Sequence, residues 1–114
     1  MAGEIVYVNA EEGIKRVVNN AGLYVTLLNK FKADTGMADI EARLAVFDFE
    51  KAQASAHTLK GIAANLSLTE LFEKVRDLES QIKKKTVPGG AADAVKSVYD
   101  ETIKKIDEVI AKYG

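Results

Sequence analysis

The chain has 114 residues, 47% of them hydrophobic, and a formal net charge of −1, which fits one globular domain of ordinary size. A charge so close to zero gives no electrostatic reason to expect binding to nucleic acid or to an anionic membrane surface. With no cysteine and a single histidine, the sequence excludes disulfides and thiol chemistry and argues against a metal centre.

No apolar run is long enough to span a membrane. The N-terminus lacks the basic segment and apolar stretch of a signal peptide, so we expect a cytoplasmic protein. Residues 1–8 are interpreted as an N-terminal segment, and residues 9–114 as one helical domain. Asn9 followed by Glu12 has the spacing of a capping box, so the first helix is predicted to begin here and to end near Val18.

Two further helices are predicted before the centre of the chain. The second begins near Ala21, and the run Asp34-Thr35-Gly36 separates it from the third. Apolar residues at helical spacing mark both helices: Leu23, Leu27, Leu28 and Phe31 in the second, and Met37, Ile40, Leu44 and Phe47 in the third.

The fourth predicted helix contains the single histidine, His57, and Asp48 can cap its N-terminus. Projection at about 100° per residue gathers the apolar side chains of this helix into one stripe. The stripe consists of Phe49, Ala52, Ala56, Leu59, Ala63 and Leu66. His57 lies roughly 130° from the centre of this stripe, so its imidazole is predicted to face solvent or the rim of the core.

Small or polar side chains surround His57 on its own side of the helix: Gln53, Ala54, Lys60, Gly61 and Ala64. Glycine in a helix interior costs roughly 1 kcal/mol relative to alanine, and close approach of another molecule to the histidine ring is a physical reason for Gly61. An exposed imidazole with a nearby ammonium and little side-chain bulk suits acceptance of a phosphoryl group from a large donor. Gln53, Ala54, Gly61 and Ala64 are therefore named the docking patch.

Two more helices complete the predicted fold. Ser67 followed by Glu70 has the spacing of a capping box that starts the fifth helix. The run Lys83-Lys84-Lys85 near its end is interpreted as a solvated helix terminus, with an acidic partner or phosphate as the alternative. The loop at residues 86–90 precedes a last helix from about Ala91. No strand pattern competes, so the sequence predicts an all-α antiparallel four-helix bundle with short accessory helices near the N-terminus.

The segment Ala56–Leu66 resembles the signature of the histidine phosphotransfer (HPt) domain family, in which the histidine is followed by Leu-Lys-Gly and then Asn-Leu. The resemblance begins at the start of the first helix and runs as far as Leu78-Glu79. Two departures are Ile62, where family members often have serine, and Ser67, where they often have glycine. Neither lies on the phosphoacceptor side of the helix.

The resemblance implies a phosphorelay intermediate. His57 would accept a phosphoryl group from the phospho-aspartate of a receiver domain, through Nε2, and pass it to an aspartate of another receiver. Lys60 would offset charge on the phosphoryl oxygens, and Glu79 could orient the imidazole. The partners would be response-regulator receiver domains, a hybrid sensor histidine kinase, or both. Mg²⁺ would belong to the receiver, and this chain, expected to be monomeric, would need no cofactor.

Other functions fit the sequence less well. Gly89-Gly90 is not followed by Lys-Ser or Lys-Thr, so no phosphate-binding loop for ATP is present and the chain is not interpreted as a kinase or other enzyme. A helical module that docks receiver or kinase domains without phosphotransfer is the alternative, although loss of His57 would be its expected mark. A small enzyme with His57 as general base would need a concave pocket.

Overall fold

A computed structural model of the chain describes residues 5–114. Within that range the protein is all-helical, and the predicted all-α class is confirmed. The helices are α1 (Ala10–Arg16), α2 (Ala21–Lys32), α3 (Gly36–Ala45), α4 (Phe49–Asn65), α5 (Thr69–Lys83) and α6 (Ala91–Tyr113). They form a bundle in which α4 packs against α3 and α5, while α6 packs against α5, α2 and α3.

The apolar stripe predicted for α4 faces the core. Ala52, Ala56, Leu59, Ala63 and Leu66 are buried, and Phe49 is half-buried at the edge. Three alanines in this stripe leave room for neighbouring helices to approach the α4 backbone closely. The matching stripe of α5 is buried along its whole length, through Leu71, Val75, Leu78 and Ile82. The two stripes fix the rotation of both helices, and this rotation places the histidine side of α4 outward.

The start of α1 is tied to the α4–α5 connection. Asn9 Oδ1 accepts a hydrogen bond from the Glu12 amide at 3.2 Å, as predicted for an N-cap. The reciprocal bond of a capping box is not formed, because the Asn9 amide donates to the Ser67 carbonyl at 2.9 Å. The Glu12 carboxylate instead accepts from Ser67 Oγ at 2.7 Å. Half of the predicted capping box is therefore wrong.

The capping box predicted at Ser67 and Glu70 is also wrong. Ser67 has a φ of 57°, a left-handed conformation that usually favours glycine after a helix. Leu68 is the N-cap of α5 and provides no side-chain hydrogen bond to it. Because the Ser67 hydroxyl is directed toward Glu12, it is not available to cap α5.

A fully buried tyrosine locks α1 and α2 onto the end of α4. Tyr24 has no exposed surface, and its hydroxyl donates to the Leu66 carbonyl at 2.7 Å. Its ring covers Gly13 so closely that a Cβ at that glycine would collide with the ring atoms. Burial, aided by the charge of Glu12, raises the pKa of Tyr24 to about 12.

Leu23 was predicted to lie on the apolar face of α2, but its side chain is 44% exposed.

Two turns expose an apolar side chain on left-handed backbone. Val18 follows α1 and Phe47 follows α3, and each has a φ of 57°. Phe47 was predicted as part of the apolar face of the third helix. It is not, because α3 ends at Ala45 and the reversal of the chain turns the ring outward, where it is 77% exposed.

Candidate functional site

His57 lies near the middle of α4, on the side away from the apolar stripe. Its side chain is 70% exposed, as predicted from the helical spacing. The preceding residue, Ala56, and the second following residue, Leu59, are both buried. The imidazole is thus carried on a firmly packed helix, but it remains accessible to a large molecule.

Glu79 on α5 joins His57 and Lys60 into one cluster. Its carboxylate is almost completely buried, with only 4% of the side chain exposed. Oε2 lies 3.2 Å from Nδ1 of His57, and Oε1 lies 2.7 Å from Nζ of Lys60. The structure therefore brings together three of the residues singled out in the sequence.

The protonation of this cluster follows from its surroundings. Burial by itself raises the pKa of Glu79, but the hydrogen bond and charge of Lys60, with hydrogen bonds from His57 and Gln53, lower it below its ordinary value. Glu79 is therefore an ionised carboxylate at neutral pH and can only accept hydrogen bonds. In the neutral imidazole, the His57 nitrogen that faces this carboxylate, Nδ1, carries the proton, which leaves the lone pair on Nε2.

Lys60 stabilises the cluster and keeps donors to spare. Its side chain is 25% exposed, and its ammonium is paired with the buried Glu79 carboxylate. An ammonium group has three N–H donors, so the contact with Glu79 leaves others available. A positive charge is thereby held one turn from His57.

The docking patch has little side-chain bulk. Ala54 and Gly61 are exposed, whereas Gln53 and Ala64 are partly buried. A Cβ placed on Gly61 would meet nothing within 4 Å. Packing within the domain therefore does not require glycine at this position, and the space beside the imidazole stays open.

A groove adjoins the C-terminal half of α4 and was missed by sequence reasoning. It has a volume of about 550 Å³, and its lining includes Leu27 and Phe31 of α2 and Ile62 and Asn65 of α4. His57 is not among its lining residues. The helical spacing of Leu27 and Phe31 predicted a buried face for α2, but the groove is formed by residues of α2 and α4 together, which a single-helix pattern does not contain.

Two other features bear on the class of site. Within residues 5–114, no three histidine, cysteine, aspartate or glutamate side chains are grouped so that they could hold a metal ion. In the same part of the chain, no helix is both long and apolar enough to cross a bilayer.

Comparison with known families gives a match over most of the chain. Residues 28–109 match the family model described as Hpt domain, and this range includes α3, α4, α5 and the cluster around His57. Neither the comparison with curated proteins nor that with solved structures finds a match. The family match covers far more than half of the 114 residues, and the chain belongs to the Hpt domain family.

Proposed function

We propose that this chain is a phosphorelay intermediate that accepts a phosphoryl group on His57 from a receiver-domain phospho-aspartate and passes it to an aspartate of another receiver. Membership of the Hpt family supports the general part of this proposal, a histidine phosphotransfer role in two-component signalling. The observation that supports the finer one is the contact of His57 Nδ1 with the buried Glu79 carboxylate at 3.2 Å, which leaves Nε2 as the exposed nucleophile.

The proposed step needs no external base. The Nε2 lone pair attacks phosphorus, and the bond from phosphorus to the aspartyl oxygen breaks. The electron pair of that bond leaves with the aspartate carboxylate. The proton on Nδ1 stays in place, and the positive charge that develops on the imidazole faces the Glu79 carboxylate, as orienting carboxylates do in other histidine nucleophiles and bases. The reverse step passes the phosphoryl group to the next receiver.

In this proposal Lys60 stabilises negative charge on the transferring phosphoryl oxygens. Most of the catalysis in phosphoryl transfer is positioning and electrostatic stabilisation, so the chain needs few catalytic groups of its own. Mg²⁺ would be supplied by the receiver domain. The chain itself would need no cofactor and would act as a phosphotransfer protein without kinase activity.

The docking patch would let the receiver approach the imidazole closely. Its support is the open space beside Gly61 and the exposure of Ala54. The groove lined by Leu27, Phe31 and Ile62 begins at the residue of α4 that follows Gly61 and would give the receiver an apolar contact beside the patch. A receiver covering both would exclude water from the reacting atoms.

We also propose the finer architecture and setting. The long helices α2, α4, α5 and α6 would form an antiparallel four-helix bundle, with α1 and α3 as accessories. The contacts of α4 with α5, α5 with α6 and α2 with α6 support this arrangement. The proposed setting is a cytoplasmic monomer that meets response-regulator receivers or a hybrid sensor kinase.

The test is transfer of label from a panel of phosphorylated receivers to the purified chain. We expect acid-labile, base-stable phosphate on the wild type and none on His57→Gln. Because His57 is 70% exposed, the free energy of unfolding of the variant should lie within about 0.5 kcal/mol of that of wild type. Equal labelling of the variant would refute the assignment. Binding of receivers without labelling would favour the alternative, a non-catalytic docking module.

A further inference from the structure

We infer that a second surface, formed by Val46, Phe47, Lys83 and Lys85 and here named the Phe47 surface, binds the partner receiver through an apolar side chain flanked by carboxylates. The identity of the occupant rests on the proposed function. The surface would set the affinity for one receiver over another and would take no part in the chemical step.

The apolar part of this surface is unusually exposed for a packed domain. Val46 and Phe47 are consecutive, and they are 70% and 77% exposed. The Phe47 ring has an aromatic neighbour in Phe49, with centroids 6.4 Å apart and planes tilted by 51°. Contiguous exposed apolar side chains are typical of interaction sites.

The fold gives no reason for phenylalanine at position 47. The turn between α3 and α4 is closed by backbone, since the Phe47 amide donates to Leu44 at 3.1 Å and the Asp48 amide donates to Arg43 at 2.9 Å. The φ of 57° at Phe47 is one that glycine or asparagine adopts more easily. Val18 shares this backbone conformation and exposure, so Phe47 is distinguished from it by the depressions and lysine side chains beside its ring.

The charges around the ring define the partner. A depression of about 360 Å³ beside Phe47 is lined by Gln53, Lys83 and Lys85, among others, and Lys85 also lines a second one that contains Pro88. Within residues 5–114, no carboxylate lies within ion-pair distance of Lys83, Lys84 or Lys85. These cations are therefore available to carboxylates of a partner.

Acidic side chains in the same depressions argue against a membrane or another polyanion as the occupant. Asp48 and Glu50 line the first depression and Asp93 the second. A uniform anionic surface would be repelled by these carboxylates, whereas a protein segment can place its own charges between them. The mixture of cations, anions and an exposed ring fits a folded protein partner.

The Phe47 surface is continuous with the proposed phosphotransfer face. Gln53 lines its first depression and also belongs to the docking patch, one turn before His57. From Phe49 to His57 the rise along α4 is about 12 Å, at about 1.5 Å per residue. A protein interface of ordinary size covers about 800 Å² per partner, so a receiver centred on His57 reaches Phe47.

A contact this far from phosphorus is equally strong before and during transfer. Such uniform binding changes the half-saturating concentration of the receiver and leaves the maximal rate unchanged. Phe47→Asn is the informative variant, because asparagine tolerates the left-handed backbone. Val18→Asn is its matched control, since Val18 has the same φ of 57° and is 88% exposed.

The experiment measures transfer from one phosphorylated receiver at increasing concentration. We expect Phe47→Asn and Lys85→Glu to raise the half-saturating concentration roughly tenfold, a typical loss for an interface anchor, with an unchanged maximal rate. Val18→Asn and Lys104→Glu, a control at an exposed position of α6, should match wild type. Labelling by phosphoramidate, in which Nε2 attacks phosphorus and ammonia leaves, should be equal in all variants and shows that His57 is intact.

Three results would overturn the inference. The first is a half-saturating concentration for Phe47→Asn equal to that of wild type, including the case where Phe47 instead mediates self-association or binding to phosphatidylserine vesicles. The second is wild-type protein that phosphoramidate labels but no receiver does, which refutes the proposed function and removes the occupant with it. Unequal labelling by phosphoramidate would place Phe47 and Lys85 in the His57 site itself and also overturn the inference.

Discussion

Nζ of Lys60 and Oε1 of Glu79 lie 2.7 Å apart, so the cation beside His57 is balanced by a buried carboxylate in the free protein. In the proposed transfer, an incoming phosphoryl group would meet a pair of opposite charges rather than an isolated ammonium. Neutralisation of Glu79 by Lys60 is important, because the Glu79 carboxylate without Lys60 would repel the phosphoryl oxygens. Lys60 would then contribute both by attracting the phosphoryl group and by neutralising its neighbour.

Replacing Lys60 with methionine should slow phosphotransfer without stopping it. Methionine keeps most of the apolar stem but loses the charge, and a hydrogen bond to a charged group is worth about 1.5–3 kcal/mol, or roughly a tenfold to hundredfold change in rate. The measurement is the single-turnover rate from a phosphorylated receiver, with Lys104→Met as a control for loss of an exposed cation. A rate equal to wild type would make Lys60 an ordinary surface residue.

The lowered pKa of Glu79 predicts how the stability of the protein changes in acid. Its pKa is lowered in the folded protein from a reference value of 4.5, so its stabilising contribution is complete above that value and is lost as the pH falls through the lower folded pKa. Urea unfolding from neutral pH down to about pH 3 should show a loss of free energy of unfolding in this acidic window.

Glu79→Gln is the comparison that isolates this group. The variant keeps a hydrogen-bond acceptor for Nδ1 of His57 but does not titrate, so its acid loss should be smaller than that of wild type. Its phosphotransfer should also be slower, because an uncharged amide stabilises the developing imidazolium less. Parallel pH curves for the two proteins would show that the Glu79 charge does not contribute to stability.

Gly61 should separate docking from packing. Gly61→Gln is expected to raise the free energy of unfolding by something under about 1 kcal/mol, because glutamine is the better helix former. Since a Cβ here meets nothing within 4 Å, no clash offsets this gain. Phosphotransfer from the receiver should fall, because the long side chain occupies space beside His57.

Gly61→Ala is the graded control, and it should gain similar stability with a smaller loss of transfer. Chemical denaturation and receiver-to-His57 transfer, measured on the same preparations, decide the matter. A Gly61→Gln protein that is less stable and less active would point to a packing role. One that is more stable and fully active would remove Gly61 from the docking patch.

Gly13, unlike Gly61, should be required for packing within the domain. A Cβ there would collide with the Tyr24 ring, so Gly13→Ala is expected to destabilise the protein by roughly 1–3 kcal/mol, as overpacking does. Gly89→Ala is the control, because a Cβ at Gly89 meets nothing within 4 Å. Thermal melting of both variants tests the lock between α1, α2 and the end of α4. Equal melting temperatures would show that Tyr24 moves aside freely.

Helical periodicity was enough to predict which side of α4 is buried and hence where His57 points, because that orientation depends on one helix alone. The local capping patterns were less informative. Ser67 fits a capping box by spacing, but its hydroxyl bonds Glu12, 55 positions away in the chain. The close packing of the Tyr24 ring on Gly13 and the groove beside Ile62 likewise arise from the packing of distant segments, which no local pattern contains.

The hydrogen bond between Glu79 and Nδ1 of His57 has a consequence for detection. Imidazole can carry phosphate on either nitrogen, and the two products are distinct regioisomers. With Nδ1 held by a buried carboxylate, the phosphorylated chain would carry the Nε2 isomer alone. An antibody specific for that isomer would report the state of this protein in a mixture, and one raised against the Nδ1 isomer would not see it.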